Sequence, residues 1–358
     1  MDTAYATLER VNTPPAQTWN YLKIDEATLR LPVPTSTGEV PARLPQLFGT
    51  VEDGIGPEAT QWVERSAGDS HYIEVPRNAV RERPIVLEAE AARGAVRDTG
   101  VMLREGSEAT VVLVSRGTND AETTSANLAR IVCEGNVRLT VVEIVALGEG
   151  GTHLEGLGIA AGAHTTVKLR QYALGGRNVA LGLGVSLLGD GARLELETRY
   201  FARGQERLDV NHVVRQRGHD TRADLHARGL LDDGAHKTMR ETIDLAHGAK
   251  GSRGNETETV LVLGDDVVNK TLPVILCDED DVQGNHGASI GSVGPEQMGY
   301  LANRGLAEDE AYALHARAIF DDAVIHARCD TGRDAVLTRA RAVLGDEIAG
   351  DLAEALEL

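Results

Sequence analysis

His286 stands alone between Asn285 and Gly287, with Cys277 and a run of four acids, Asp278, Glu279, Asp280 and Asp281, on its N-terminal side. A neutral imidazole ligates iron and other divalent transition metals, and carboxylates supply hard oxygen ligands. Gly284 and Gly287 leave the imidazole sterically open. By residue type alone two readings of His286 stand side by side: a solvated or hydrogen-bonded imidazole, and a metal ligand. Cys277 likewise reads as a packed thiol or as a ligand. Packing is the expected role, because free cysteine is among the most buried residue types. If Val274, Leu276 and Asp278 face one side of a strand, Ile275 and Cys277 face the other. No CxxC, HExxH or closely spaced Cys/His set occurs, so a permanent, self-contained metal site is not expected. His212, His226 and His236 are scattered along the chain and read as surface or corner residues. There is no GxxxxGK[ST] loop and no GxSxG elbow, and Gly182-Leu183-Gly184 lacks the dinucleotide fingerprint. Any ATP hydrolysis must come from another chain.

The elements that position His286 are short and repetitive. In the stretch Asn255 to Leu306, the first half alternates apolar and polar positions, as a strand does when one side is buried. Upstream, Ile85-Val86-Leu87, Val101-Met102-Leu103, Thr110 to Val114 and Leu139 to Val145 are β-prone runs bounded by glycine and polar residues. Glycines at 162, 176, 191, 204, 218, 234, 248 and 264 fall about 13–16 residues apart. Every second one gives about 27–30 residues, the length of one coil of a β-solenoid. Leu194, Leu196, Ala223 and Leu225 are candidates for inward rows. An antiparallel sandwich with regular turns is the alternative. Downstream, Pro295 with Glu296 behind it opens a helix. A second helix places Ala311, Leu314, Ala318 and Ile319 on one face, with Glu308-Asp309-Glu310 at its start, where negative charge suits the helix dipole. Asp330-Thr331-Gly332 marks a break, and a later helix aligns Val336, Leu337, Ala340 and Leu344. This tail is expected to cap the open end of the stack and to offer a surface to another protein.

Composition agrees with thin layers. Aromatic residues make up 3% of the 358 residues, so Val, Leu, Ile and Ala must fill the core. The formal net charge of −19 repels phosphate backbones and anionic lipid, which makes nucleic acid and membrane poor partners. No apolar run reaches the length of a transmembrane helix, and Met1 to Pro15 do not read as a signal peptide. Three widely spaced cysteines suit a reducing cytoplasm better than a disulfide framework. The leader is mixed: Thr18-Trp19-Asn20-Tyr21-Leu22 is an apolar patch expected to dock on the body, and Gln61-Trp62-Val63 is expected on a short helix.

Several blocks occur together and in a fixed order: Asn269-Lys270-Thr271-Leu272-Pro273, Asp280-Asp281-Val282, His286-Gly287-Ala288, Glu296-Gln297, Tyr300-Leu301 and Arg304-Gly305-Leu306. In this the chain resembles the SufB/SufD family, the scaffold proteins of the SUF iron–sulfur cluster assembly machinery. The likeness is clearest over the last third. It implies a mainly β fold: a right-handed parallel β-helix core (84–292) with a mixed N-terminal leader (1–83) and a C-terminal helical domain (293–358). It also implies a non-enzymatic scaffold that pairs edge-to-edge with a SufB-like subunit through strands around Val260 to Ile275. Its helices, with Tyr300, Leu301, Arg304 and Leu306, would dock on a SufC-like ABC ATPase. Sulfur would arrive indirectly from a donor protein. His286 would meet iron or a transient iron–sulfur cluster at the subunit interface, with Cys277 the weaker candidate, and no cofactor would be bound permanently.

The chain departs from the SufB pattern in two places. Gly287 follows the histidine where SufB-like chains carry Glu. The cysteine of their preceding strand would fall near Glu258, and no cysteine lies between Leu139 and Leu276. The chain therefore looks SufD-like. The alternatives are a SufB-like homodimeric scaffold using Cys277 as its thiol and, from a different class, a β-solenoid polysaccharide-active enzyme using acidic pairs such as Asp232-Asp233 or Asp265-Asp266.

Overall fold

The computed structural model describes residues 4–16, 18, 22–34, 40–91, 95–117 and 122–354. Two eight-stranded parallel sheets form a β-solenoid. One sheet takes β3 (His71–Val75), β5 (Val96–Leu103), β7 (Thr123–Cys133), β9 (Gly151–Ala161), β11 (Asn178–Leu187), β13 (Arg207–Gln216), β15 (His236–Leu245) and β17 (Val268–Cys277). The other takes β4 (Ile85–Glu90), β6 (Glu108–Arg116), β8 (Arg138–Ala146), β10 (Thr166–Ala173), β12 (Arg193–Ala202), β14 (Arg222–Leu231), β16 (Arg253–Val262) and β18 (Gln283–Gly291). The chain alternates between the sheets, so each coil contributes one strand to each. Side chains bonded across neighbouring coils lie 27 to 31 residues apart, the coil length expected from the glycines.

Period-two patterning builds the interior. Leu194 pairs with Ala223 and Leu196 with Leu225, and all four are buried in rows shared between coils. Small aliphatics fill these rows, each contributing about 1.5–3 kcal/mol on full burial, so the stack needs few aromatics. One corner repeats a left-handed residue in six successive coils: Gly106, Asn136, His164, Gly191, Asp220 and Gly251. Their N–H groups each donate to a carbonyl of the next corner, as Gly191 does to His219 at 2.8 Å.

The two sheets are covered on their outer faces by different parts of the chain. A two-stranded antiparallel ribbon, β1 (Tyr5–Val11) with β2 (Ala27–Pro32), and helix α1 (Pro57–Ser66) lie on the odd-numbered sheet. Trp62 of α1 is buried and donates to Pro32 O at 2.9 Å. Of the apolar patch expected near the N-terminus, Trp19, Asn20 and Tyr21 lie outside the described residues.

Four helices follow β18: α2 (Pro295–Ala302), α3 (Glu308–His326), α4 (Asp330–Leu344) and α5 (Asp346–Glu354). They do not cap the end of the stack. α3, α4 and α5 pack across the outer face of the even-numbered sheet, against Val114, Ile144, Tyr172 and Phe201. The reason is chemical: toward their C-terminal ends the outward positions of β6, β8, β10 and β12 are apolar and demand cover. The face α3 buries also differs from expectation. Ala316, Ile319, Phe320 and Ala323 are buried, whereas Leu314 and Ala318 are exposed; the side chain of Ala311 lies outside those described. The face expected for α4 holds, with Val336 and Ala340 fully buried. Arg339 fixes α4 to the body through Leu174 O at 2.8 Å and an ion pair with Glu206. No helix among the described residues is long and apolar enough to cross a membrane.

The two ends of the stack differ. At β4 the inward residues Ile85, Leu87 and Ala89 are buried. At the other end every residue of β18 is exposed, and β17 is only half-buried.

Candidate functional site

The bare coil carries His286. β18 pairs with β16 alone, in a register that sets His286 beside Glu256 and Ala288 beside Glu258. Adjacent residues in register project to the same side of a sheet. Glu256 and Glu258 are buried in the interior, so His286 belongs to the inward row and is exposed because no coil lies above it. Of the edge expected around Val260 to Ile275, residues 268–275 lie in the edge strand β17, whereas Val260 lies in β16. β16 is paired on both sides, and at this end of the stack the edge strands are β17 and β18, as β3 and β4 are at the other. Pro273 lies in β17, where an edge strand tolerates its missing N–H.

Cys277 is not packed in the core. It ends β17 and is exposed, with its thiol 3.4 Å from Glu279 O. It pairs with buried Leu245 and so continues an inward row, but that row stops at the open end. Cys133 is buried, and burial pushes its thiol up to about 12. Cys329 caps α4, its sulfur accepting from Gly332 N at 3.3 Å. The acidic run before β18 is a turn whose Glu279 accepts from Gly248 N at 2.9 Å and Asp280 N at 3.1 Å. Those backbone bonds hold its carboxylate below the usual range.

A polar column runs through the solenoid between two aliphatic ones. Gln171 Nε2 donates to Glu143 at 3.1 Å, and His212 bridges Gln171 Oε1 and Glu241 Oε1, each at 2.9 Å. Glu241 in turn meets Glu256, directly below the register position of His286. Burial first, and then the neighbouring Glu241, push Glu256 up to about 10. Beside them, Glu258 accepts from Lys237 at 2.5 Å, Tyr200 at 2.7 Å and Thr271 at 2.6 Å. His212 is thus a buried core residue, not a surface one. His226 is exposed and bonds Thr257 at 2.7 Å, and His236 begins β15. Glu241, Glu256 and Lys237 were not singled out by residue pattern. The signal that could have found them is Glu256-Thr257-Glu258-Thr259, polar on both sides of a strand that has neighbours on both edges.

The site's last element is α2 and the turn after it. Tyr300 is exposed, and the Arg304 guanidinium stacks over its ring at 4.5 Å. Leu301 and Leu306 are half-buried. This segment makes few contacts beyond α3, and it leaves an amphipathic surface standing off the body.

Comparison with known proteins places this architecture. A family model described as "SUF system FeS cluster assembly, SufBD core domain" matches residues 85–319. The chain is 26% identical over 191 residues to the iron–sulfur cluster assembly protein SufD of Bacillus subtilis, covering 52% of this chain and 43% of that protein. It is 27% identical over 225 residues to a SufBD family protein of Mycobacterium leprae, covering 61% and 56%. A third relative, a SufBD family protein of Methanocaldococcus jannaschii, is 23% identical over 189 residues, covering 53% and 55%. The chain thus spans about half the length of the curated relatives it matches. With the core-domain match running through the coils, the free end and into α3, the chain belongs to the SufBD family of iron–sulfur cluster assembly proteins.

Proposed function

We propose that the chain is a non-catalytic, SufD-like scaffold subunit. It pairs with a SufB-like subunit through its bare final coil and presents His286 to iron or a nascent cluster held transiently at that joint. A SufC-like ABC ATPase docks on α2 and the turn bearing Arg304 and Leu306. The observation that carries this reading is the uncovered last coil, whose β18 is wholly exposed and has a free outer edge. An unpaired parallel edge is a template for strand addition. The absence of a cysteine in β16 supports the SufD-like assignment, since thiolates would then come from the partner. Sulfur would reach the joint indirectly, from a donor protein through that partner.

A second reading has one observation behind it. Cys277 is exposed at the same open end as His286, as a homodimer using it as the thiol would require.

The test is co-expression with a SufB-like and a SufC-like chain. Truncation before α2 would strip the cover from Phe201 and Tyr172, so substitution within α2 is cleaner. Tyr300→Ala with Leu301→Asp should weaken ATPase binding by about 2–4 kcal/mol, as for a central interface anchor, and leave the SufB-like pairing intact. Unchanged ATPase binding would remove α2 from the interface. His286→Ala should lower the iron bound by the intact complex. Native mass measurement separates the heteromer from the homodimer.

A further inference from the structure

One inward row of the even-numbered sheet changes character at the open end. It reads Leu169, Leu196 and Leu225 through three coils, then Glu256, then His286. Glu241 projects toward Glu256 from the opposite sheet, and both carboxyls are almost fully buried, each with one oxygen that no donor reaches. The contrast with Glu258 is informative: that carboxylate, two residues along the same strand, is satisfied by a lysine, a tyrosine and a threonine. Lys237 is near enough for the charge of Glu241 to be felt, but its ammonium is bonded to Glu258, Asn269 and Thr271, and among the described residues no lysine or arginine pairs with Glu241 or Glu256; buried carboxylates are costly without such a partner.

We propose that Glu256 and Glu241, rather than the acidic turn 278–281, are the carboxylates that hold a divalent cation beneath His286. One imidazole with carboxylate oxygens suits Fe²⁺, Mn²⁺, Co²⁺ or Zn²⁺. The turn is badly placed for the task. Asp281 lies in the turn before β18, beyond the three strand steps, about 10 Å at the usual rise, that separate Gln283 from His286, and Glu279 is already engaged by backbone N–H groups. Among the described residues no three His, Cys, Asp or Glu side chains are already gathered into a metal site. The site on this chain is therefore a half-site, open above His286, where a second subunit can complete the coordination and take the metal on. The inference rests on the scaffold reading only in taking iron as the cation that the site meets.

The experiment is an anaerobic titration of the full-length chain with Co²⁺, read by its ligand-field absorption and checked with Fe²⁺ in competition against a chelator. The wild type should bind one Co²⁺. Glu256→Gln, isosteric and uncharged, should bind at least tenfold more weakly, Glu241→Gln should also weaken binding, and Glu256→Asp should recover part of the loss. Asp280→Asn with Asp281→Asn should bind as the wild type does. Three results would each overturn the proposal: no binding by the wild type, wild-type affinity in Glu256→Gln, or an equal loss in the turn variant. Co-purification with a SufB-like chain is scored separately. Assembly with unaltered metal binding in Glu256→Gln defeats the half-site alone, whereas failure of the wild type to assemble defeats the scaffold reading and leaves the metal result to be judged by itself.

Discussion

Within the interior of β7 and β9, His153 bridges Ser125 at 2.8 Å and Glu155 at 2.7 Å, while Ser115 donates to Glu155 at 3.1 Å. All are buried, and Glu143 stands close enough for its charge to be felt. Burial pushes the Glu155 carboxyl up to about 8 and His153 down to about 3; Glu143 moves well up, by burial first and then by Glu155. The signs then follow from linkage. Between the unfolded carboxyl range and pH 8 the folded state keeps a proton on Glu155 that the unfolded chain has released, so stability falls as pH rises. His153 acts oppositely, but only up to its unfolded value of about 6.5. Above that value Glu155 is unopposed, at a slope of up to about 1.4 kcal/mol per pH unit. The melting temperature should therefore drop from pH 6.5 to 8, and Glu155→Gln should make that drop shallower, the raised Glu143 and Glu256 carboxyls keeping part of it. A wild-type profile that is level or rising over this window would show that the cluster carries charge in the folded state.

At the scale of elements, the segment before α1 is seated by glycines. Gly182 and Gly184 lie on the outer face of β11, where an added Cβ would collide with the backbone of residues 52–55. Asn211 donates to Gly54 O at 2.8 Å and Arg215 pairs with Glu52 at 2.5 Å, which ties the segment down. Gly184→Val should lift it, at a cost of about 1–3 kcal/mol typical of overpacking. Amide exchange should quicken across residues 51–66 and stay unchanged in β9 to β14. The coils themselves were legible because aliphatic alternation and turn glycines are local signals. The corner period was only half visible, since Asn136, His164 and Asp220 take the left-handed position that glycine takes elsewhere; short polar side chains tolerate it. The placement of α3 to α5 was not legible. It depends on apolar outward rows of distant strands, and a helix sequence does not say which neighbour will cover it. The His286 block could be read, whereas its neighbour Glu256 is passed over easily, because a glutamate in an alternating strand reads as solvated until the register shows it facing inward.

For the molecule as a whole, the stack is quasi-one-dimensional, so each coil is stabilised mainly by the coils on either side. Interior coils have two neighbours, and leader and helices cover much of their outer faces. The final coil has one neighbour, and its floor includes Glu241, Glu256 and Lys237. It should therefore open at lower free energy than the rest, and regions that open in this way are where binding acts. Pro273 in β17 and the polar run Gln283 to His286 in β18 blunt the edge against indiscriminate strand addition. In the isolated chain, amides of β17 and β18 should exchange fastest among the solenoid strands. On assembly with a SufB-like subunit they should slow by at least tenfold, with β3 and β4 unaffected. The measurement is hydrogen exchange followed by mass spectrometry on the chain alone and in the complex. Protection gained at β3 and β4 instead would move the joint to the opposite end of the stack and take His286 away from it.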